Sequence, residues 1–109
     1  MLRAMLEGLR DRFGWTPIVE AGNIIGLIEP GDGGGSISLE PGGQFELSGA
    51  LLGDVHETCL EVHEHLAQVR EIGDALGIGF LGLGFSPLWT RDETPVMPKG
   101  RYAIMQAYM

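Results

Sequence analysis

The strongest constraint on the fold is an alternation of polar and apolar side chains on both sides of Pro41-Gly42-Gly43. The polar residues hold even positions and the apolar residues hold odd ones: Ser36, Ser38, Glu40, Gln44, Glu46 and Ser48 against Ile37, Leu39, Phe45 and Leu47. Successive side chains of a β-strand point to opposite faces of a sheet. The pattern therefore predicts strand structure with one polar and one apolar face, and it places Glu40, Gln44 and Glu46 on the polar face.

The geometry of the connection at Pro41-Gly42-Gly43 decides whether the two faces stay separate. A two-residue hairpin at Gly42-Gly43 would pair Leu39 with Glu46 and so mix the faces, which the pattern excludes. A three-residue loop pairs Glu40 with Gln44 and keeps the faces apart. An unbroken or bulged strand also keeps them apart. The sequence leaves both of these geometries open.

The other elements follow from hydrophobic periodicity and from capping residues. We predict a helix over 1–13, strands over about 17–48, a long helix over about 54–76, a buried strand over about 78–85, a loop over 86–99 and the start of a helix over 101–109. The turn "EPGDGGGS" separates two of the strands. These elements predict one α+β unit in which antiparallel strands pack with one long helix.

Length and charge limit the function. A chain of 109 residues forms one domain, and its net charge of −8 argues against nucleic acid and anionic membranes as partners. No apolar stretch reaches the roughly 20 residues that a membrane-spanning helix needs. The single cysteine indicates a reducing compartment, for which we expect the cytosol.

Carboxylates on one strand face suggest a metal site. Glu40 and Glu46, with the amide of Gln44, offer the oxygen ligands that Mg²⁺ prefers, and neighbouring glycines leave room for a substrate. The alternative is that both glutamates simply lie on the solvated face of a sheet. Lys99, Arg101 and Tyr102 follow a proline-rich loop and would suit a substrate carboxylate or phosphate, or form an ordinary basic surface cluster.

Two other patterns carry less weight. His56, Cys59 and His63 have helical spacing that could suit zinc. The expected apolar stripe of the long helix contains Cys59, however, so we expect its thiol to be buried, which disfavours both zinc binding and nucleophilic catalysis. The segment "GIGFLG" spells a dinucleotide fingerprint but follows a helix and lies in the predicted strand, which is the wrong structural context.

Four segments together carry a family resemblance. They are "SISLEPGGQFELSGALL", "HETCLEVHEHLAQV", "GIGFLGLGFSPLW" and "PVMPKGRYAIMQAYM". In this order they resemble the plant-type glutamate–cysteine ligases that are also found in proteobacteria. The resemblance implies a glutamine synthetase-like catalytic fold and ATP- and Mg²⁺-dependent joining of glutamate to cysteine through γ-glutamyl phosphate.

The resemblance also implies roles for individual residues. Glu46 and Glu40 would ligate Mg²⁺, Gln44, Arg101 and Tyr102 would contact substrate, and Lys99 would meet ATP. Some relatives use cysteines as a redox switch, and Cys59 falls at such a position, although its partner would lie outside this chain.

Complete members of the family are several times longer, which affects what this chain is expected to do alone. We therefore expect an inactive central fragment that needs the rest of the catalytic chain and self-associates through exposed sheet edges. The alternatives are a stand-alone metal- or nucleotide-binding module of the same fold, and a related ligase that uses another amine.

Overall fold

The computed structural model describes residues 1–31 and 34–108. Its elements are α1 (Leu2–Phe13), β1 (Thr16–Glu20), β2 (Asn23–Ile28), β3 (Ser36–Glu40), a 3₁₀ turn (Pro41–Gly43), β4 (Gln44–Ser48), α2 (Val55–Leu76) and α3 (Gly100–Tyr108). Three helices and a four-stranded antiparallel sheet make the α+β architecture that the sequence predicts. Asp32 and Gly33 of the predicted turn, and Met109 of the predicted last helix, lie outside the described residues.

The sheet is a meander in which each strand pairs with the next one in the chain, in the order β1-β2-β3-β4. Glu40 pairs with Gln44, and Ser38 pairs with Glu46. This register requires the three-residue loop, so the connection at Pro41–Gly43 is a tight turn rather than a bulge. The polar and apolar faces stay separate as predicted, and Ile37 on the apolar face is fully buried.

Helix α1 covers the apolar face of the sheet. Its buried side chains are Met5, Leu6 and Leu9, and the last two join Leu27, Ile37 and Leu39 of the sheet in one core cluster. The helix ends at Gly14, whose positive φ of 77° is a conformation that favours glycine. Burial of these aliphatic side chains fixes which face of the sheet remains free for polar residues.

Helix α2 begins at the predicted cap and packs on α1. The Asp54 carboxylate accepts hydrogen bonds from the backbone N–H groups of His56 (2.8 Å) and Glu57 (3.0 Å). The two helices approach closely at Gly8, where a Cβ would lie 2.6 Å from Ile72 Cγ2. A larger residue at position 8 would therefore force Ile72, or the helix that carries it, to shift.

Of the predicted apolar stripe of α2, Val69 is buried and the other aliphatic side chains are exposed. Val69 is buried, whereas Val55 and Leu66 are 73% and 59% exposed. Cys59 is also exposed, so the prediction that the stripe buries its thiol is wrong. The reason is that α1 meets α2 around Glu71 and Ile72, away from Cys59.

The segment 78–85 is not the buried strand that its apolar sequence predicts. It contains no strand, and Leu81 and Phe85 are 84% and 77% exposed. A strand needs a partner for its backbone N–H and C=O groups, and no strand of the sheet pairs with this segment. Residues 86–99 form turns and loops, in agreement with the prediction.

Candidate functional site

One end of the sheet gathers most of the predicted site residues. In a meander, alternate strands point in the same direction, so β1 and β3 both finish at this end. Each of them ends on a glutamate, Glu20 in β1 and Glu40 in β3. The segment leading into α3 meets both carboxylates, and the site is built from these contacts.

The Glu40 carboxylate is surrounded by donors. Arg101 Nη2 lies 3.1 Å and Lys99 Nζ lies 3.5 Å from Glu40 Oε1. The Ser38 hydroxyl donates to the same oxygen at 3.0 Å, and the Tyr102 hydroxyl donates to Glu40 Oε2. Side chains of β3 and of a segment about 60 positions later therefore form a single polar cluster. We call it the Glu40 cluster, and its members are Ser38, Glu40, Lys99, Arg101 and Tyr102.

This environment stabilises the charged form of Glu40. The hydrogen bond from Tyr102 lowers the pKa of the Glu40 carboxyl most strongly, and Ser38, Lys99 and Arg101 lower it further against the opposing effect of burial. The side chain of Lys99 is only 9% exposed and that of Glu40 24% exposed, so solvent screens this ion pair weakly. Glu40 is thus an ionised carboxylate whose charge is matched by cations of the chain itself.

Tyr102 anchors the cluster to the protein interior. It is 3% exposed, and burial, followed by its hydrogen bond to Glu40, raises the pKa of its phenol. Its ring also lies beneath both cations, with Lys99 Nζ 5.5 Å and Arg101 Cζ 5.0 Å from the ring centroid. The phenol therefore remains protonated as a donor, while its ring and oxygen hold the Arg101 guanidinium.

Two further contacts dock the start of α3 and the segment before it on the end of the sheet. The Gly42 N–H in the turn after β3 donates to the Pro95 carbonyl at 2.9 Å. The Gly100 N–H donates to Glu20 Oε1 at 2.7 Å. Glu20 is not among the residues that the sequence pattern singles out, although its position at the end of β1 parallels that of Glu40 at the end of β3.

Gln44 and Glu46 share the polar face with Glu40 but lie outside its cluster. The Gln44 amide donates to the Gly84 carbonyl at 2.8 Å, which ties β4 to the irregular segment 78–85. Glu46 is exposed and accepts one hydrogen bond, at 3.4 Å from Ser48. The structure thus brings together Glu40, Lys99, Arg101 and Tyr102, and it leaves Gln44 and Glu46 beside them.

These contacts bear on the predicted magnesium ligands. Across residues 1–31 and 34–108, no group of three or more His, Cys, Asp or Glu side chains is placed to hold a metal ion. Glu46 fits a magnesium ligand, because its carboxylate faces solvent and Mg²⁺ often takes only one or two carboxylates together with phosphate oxygens. Glu40 fits less well, because both of its oxygens already accept hydrogen bonds.

The helical pair Cys59 and His63 forms a separate contact. The thiol sulfur lies 3.5 Å from His63 Nδ1, and the same nitrogen lies 2.7 Å from the Cys59 carbonyl oxygen. The zinc site suggested by the spacing of His56, Cys59 and His63 is not assembled among the described residues.

Comparison with known proteins identifies the family. A sequence model of Glutamate-cysteine ligase family 2 matches residues 4–109. The chain belongs to this family. It is similar to glutamate–cysteine ligase A, chloroplastic, of Oryza sativa subsp. japonica (57% identity over 108 residues, 99% of this chain) and to the chloroplastic glutamate–cysteine ligases of Medicago truncatula (56% over 105 residues, 96%) and Arabidopsis thaliana (55% over 105 residues, 96%). The family resemblance predicted from the four segments is confirmed.

The chain corresponds to a part of these relatives. It covers 21% of the length of the Oryza relative and 20% of each of the other two. The part that it matches includes the whole β3-β4 hairpin, α2 and the Glu40 cluster.

The names of the relatives correct the expected location. All three are described as chloroplastic, which contradicts the cytosolic address expected from the single cysteine. The inference was wrong because scarce cysteines indicate only a reducing environment, which is not restricted to the cytosol.

In the described part of the chain, no helix has the length and apolar character needed to cross a membrane.

Proposed function

We propose that this chain supplies part of the catalytic site of a glutamate–cysteine ligase, which joins the γ-carboxylate of glutamate to the amine of cysteine at the expense of ATP. The observation that carries the proposal is the Glu40 cluster, in which two cations and a buried phenol meet one carboxylate at one end of a sheet. Family membership supports the reaction class. The product would be an intermediate of glutathione biosynthesis.

The charges of the reaction explain why the cations matter. Transfer of a phosphoryl group to a carboxylate brings two anionic groups together, and the transition state needs positive charge placed in advance. Arg101 is 61% exposed despite its bond to Glu40, so its remaining N–H groups can donate to a substrate carboxylate or to the γ-glutamyl phosphate. Tyr102 holds the guanidinium, and Gln44 lies on the adjacent strand to orient the substrate.

Mg²⁺ would be held chiefly by Glu46. When bound, it would neutralise phosphate oxygens of ATP and so reduce the repulsion between ATP and the glutamate carboxylate. Glu40 would serve as a second ligand only if Mg²⁺ replaced the ammonium of Lys99, because both cations would compete for Glu40 Oε1. Under that exchange the ammonium of Lys99 becomes free to meet a phosphate of ATP.

The proposal includes the rest of the enzyme. The four-stranded sheet would form part of a larger antiparallel sheet of the glutamine synthetase type, whose polar face holds ATP, metal and amino acids. The free edges at β1 and β4 are compatible with such an extension. Because the described residues offer few metal ligands, we propose that the chain is inactive alone.

A chimera tests the proposal. The matched 105 residues of the Arabidopsis relative would be replaced by this chain, and formation of γ-glutamylcysteine and ADP would be measured with glutamate, cysteine and ATP. We expect an active chimera whose activity is strongly reduced by Glu46→Gln and by Arg101→Lys, because the first removes a metal ligand and the second removes the bidentate fork.

A matched variant controls for nonspecific loss of charge. Glu7→Gln, on α1, also removes one carboxylate but lies outside the Glu40 cluster, and it should leave the activity unchanged. A folded chimera that makes no product would contradict the proposed function. Product formed only with an amine other than cysteine would replace it with the related ligase activity.

A further inference from the structure

Glu20 makes one contact that links two distant parts of the chain. Its Oε1 accepts a hydrogen bond of 2.7 Å from the backbone N–H of Gly100, eighty positions later. Gly100 is the first residue of α3, and the first N–H groups of a helix have no partner inside the helix. A carboxylate at this point is also favoured by the positive end of the helix dipole.

The position of this contact gives it a role in the proposed site. Gly100 is followed directly by Arg101 and Tyr102, so Glu20 fixes the backbone of the turn that carries the guanidinium and the phenol. Glu40 holds the same turn through the side chains of these two residues. In the first turn of α3, Glu20 therefore binds the backbone and Glu40 binds the side chains.

The backbone around Glu20 is itself constrained. Ala21, the next residue, has a positive φ of 47°, and Gly22 has a φ of 77°, which together make the tight two-residue turn between β1 and β2. Non-glycine residues rarely adopt this conformation. The turn ends β1 at Glu20, so its carboxylate is presented at the end of the sheet from a fixed backbone.

We infer that Glu20 is a positioning residue of the ligase site: by holding the Gly100 N–H, it sets the direction from which Arg101 faces the anionic substrate. This inference rests on the proposed function for its catalytic consequence. The contact itself can be tested without any ligand. The contact also depends on the absence of a side chain at position 100, because a Cβ on Gly100 would lie 2.9 Å from Glu20 Oε1.

The test uses nuclear magnetic resonance on the isotope-labelled chain at fixed pH. In Glu20→Ala we expect amide hydrogen exchange at Gly100 to become faster by about tenfold, as for loss of a helix cap. The Tyr102 ring resonances and the Arg101 Nε–H resonance should shift as well, because both groups depend on the same turn. Glu20→Gln keeps an oxygen acceptor and should restore most of the wild-type spectrum. Glu7→Gln is the control and should leave these resonances in place.

A second variant removes the contact from the other side. Gly100→Ala should displace the Glu20 carboxylate and reproduce the spectral changes of Glu20→Ala, and the double variant should add little to either. Gly100→Ala also keeps the test open if Glu20→Ala fails to fold. The inference is overturned if the Arg101 and Tyr102 resonances stay unchanged while only Gly100 responds, because Glu20 would then be a local cap.

The catalytic consequence is measured in the chimera. Glu20→Ala should raise the KM for glutamate severalfold and leave the KM for cysteine unchanged, because Arg101 is displaced from the glutamate carboxylate. An unchanged KM for glutamate in an active chimera would overturn the inference. An inactive wild-type chimera would count against the proposed function instead, and the spectra of the chain alone would then decide whether Glu20 positions Arg101.

Discussion

The Tyr102 hydroxyl donates a hydrogen bond to the Glu40 carboxylate, although the two residues are 62 positions apart. Glu40 ends a strand of the meander, and Tyr102 lies in the first turn of α3, so this bond joins the sheet to the last helix. Arg101 and Lys99 approach the same carboxylate from the same segment. The site therefore depends on how firmly α3 is held on the sheet.

Tyr102→Phe should destabilise the protein. The variant keeps the ring but removes the donor to an ionised carboxylate, and we expect a loss of about 1–2 kcal/mol in the free energy of unfolding. Urea denaturation followed by circular dichroism measures it. Tyr108→Phe is the matched control, because Tyr108 is 89% exposed, and it should change the stability little. Equal effects of the two variants would show that the bond to Glu40 contributes nothing.

Stability should fall in acid, in part through Glu40. Its pKa is lowered in the folded protein from the ordinary value of 4.5, so its contribution is fully present above that value and is lost as the pH falls through the lowered pKa. Denaturation curves of the wild type and Glu40→Gln should therefore converge as the pH is lowered below 4.5. A constant difference between the two proteins over this range would contradict the ionised state assigned to Glu40.

The isolated chain should not bind Mg²⁺–ATP tightly. Glu46 is one exposed carboxylate, and Glu40 is already paired with Lys99 and Arg101, so few ligand groups remain for the metal. Isothermal titration calorimetry of the chain and of Glu46→Ala should give no binding at micromolar concentrations. Tight binding that Glu46→Ala abolishes would instead identify an autonomous nucleotide-binding module.

The open edges of the sheet should promote self-association. β1 and β4 are the outer strands, and Val19 on β1 is 61% exposed. Unpaired N–H and C=O groups on an edge strand can pair with another copy. We expect size-exclusion chromatography with light scattering to show mass increasing with concentration, and Val19→Lys to reduce this increase by placing a charge on the edge. A monomer at all micromolar concentrations would rule out pairing through the edges.

The alternating pattern around Pro41–Gly43 was sufficient to predict the polar face. Every second side chain of a strand lies on the same face, so once the apolar residues are buried the polar residues must all face the other way. The separate faces also excluded the wrong hairpin. The helices 1–13 and 54–76 could be predicted because capping residues and apolar spacing are local signals. Which residues of the 54–76 stripe are buried could not be predicted, because that depends on where α1 meets α2.

The segment 78–85 shows a second limit of local signals. Its apolar glycine-rich composition is typical of a buried strand, but a strand forms only where a partner is available, and composition contains no information about partners. The contact of Glu20 could not be predicted for a related reason. No motif or alternating pattern surrounds Glu20 in the sequence. Its carboxylate lies beside Gly100 because β1 and β3 run in the same direction and end at the same end of the sheet.

The meander has a consequence for the order of folding. From α1 to β4, each element packs on a neighbour in the chain, and contacts between close neighbours form quickly because short loops lose little entropy on closing. The contacts of α3 with Glu20 and Glu40 close loops of 80 and about 60 residues and are expected to form last. Both carboxylates would then already be fixed at the end of the sheet before Arg101 packs there. The acidic residues of the site would therefore determine where its basic residues bind.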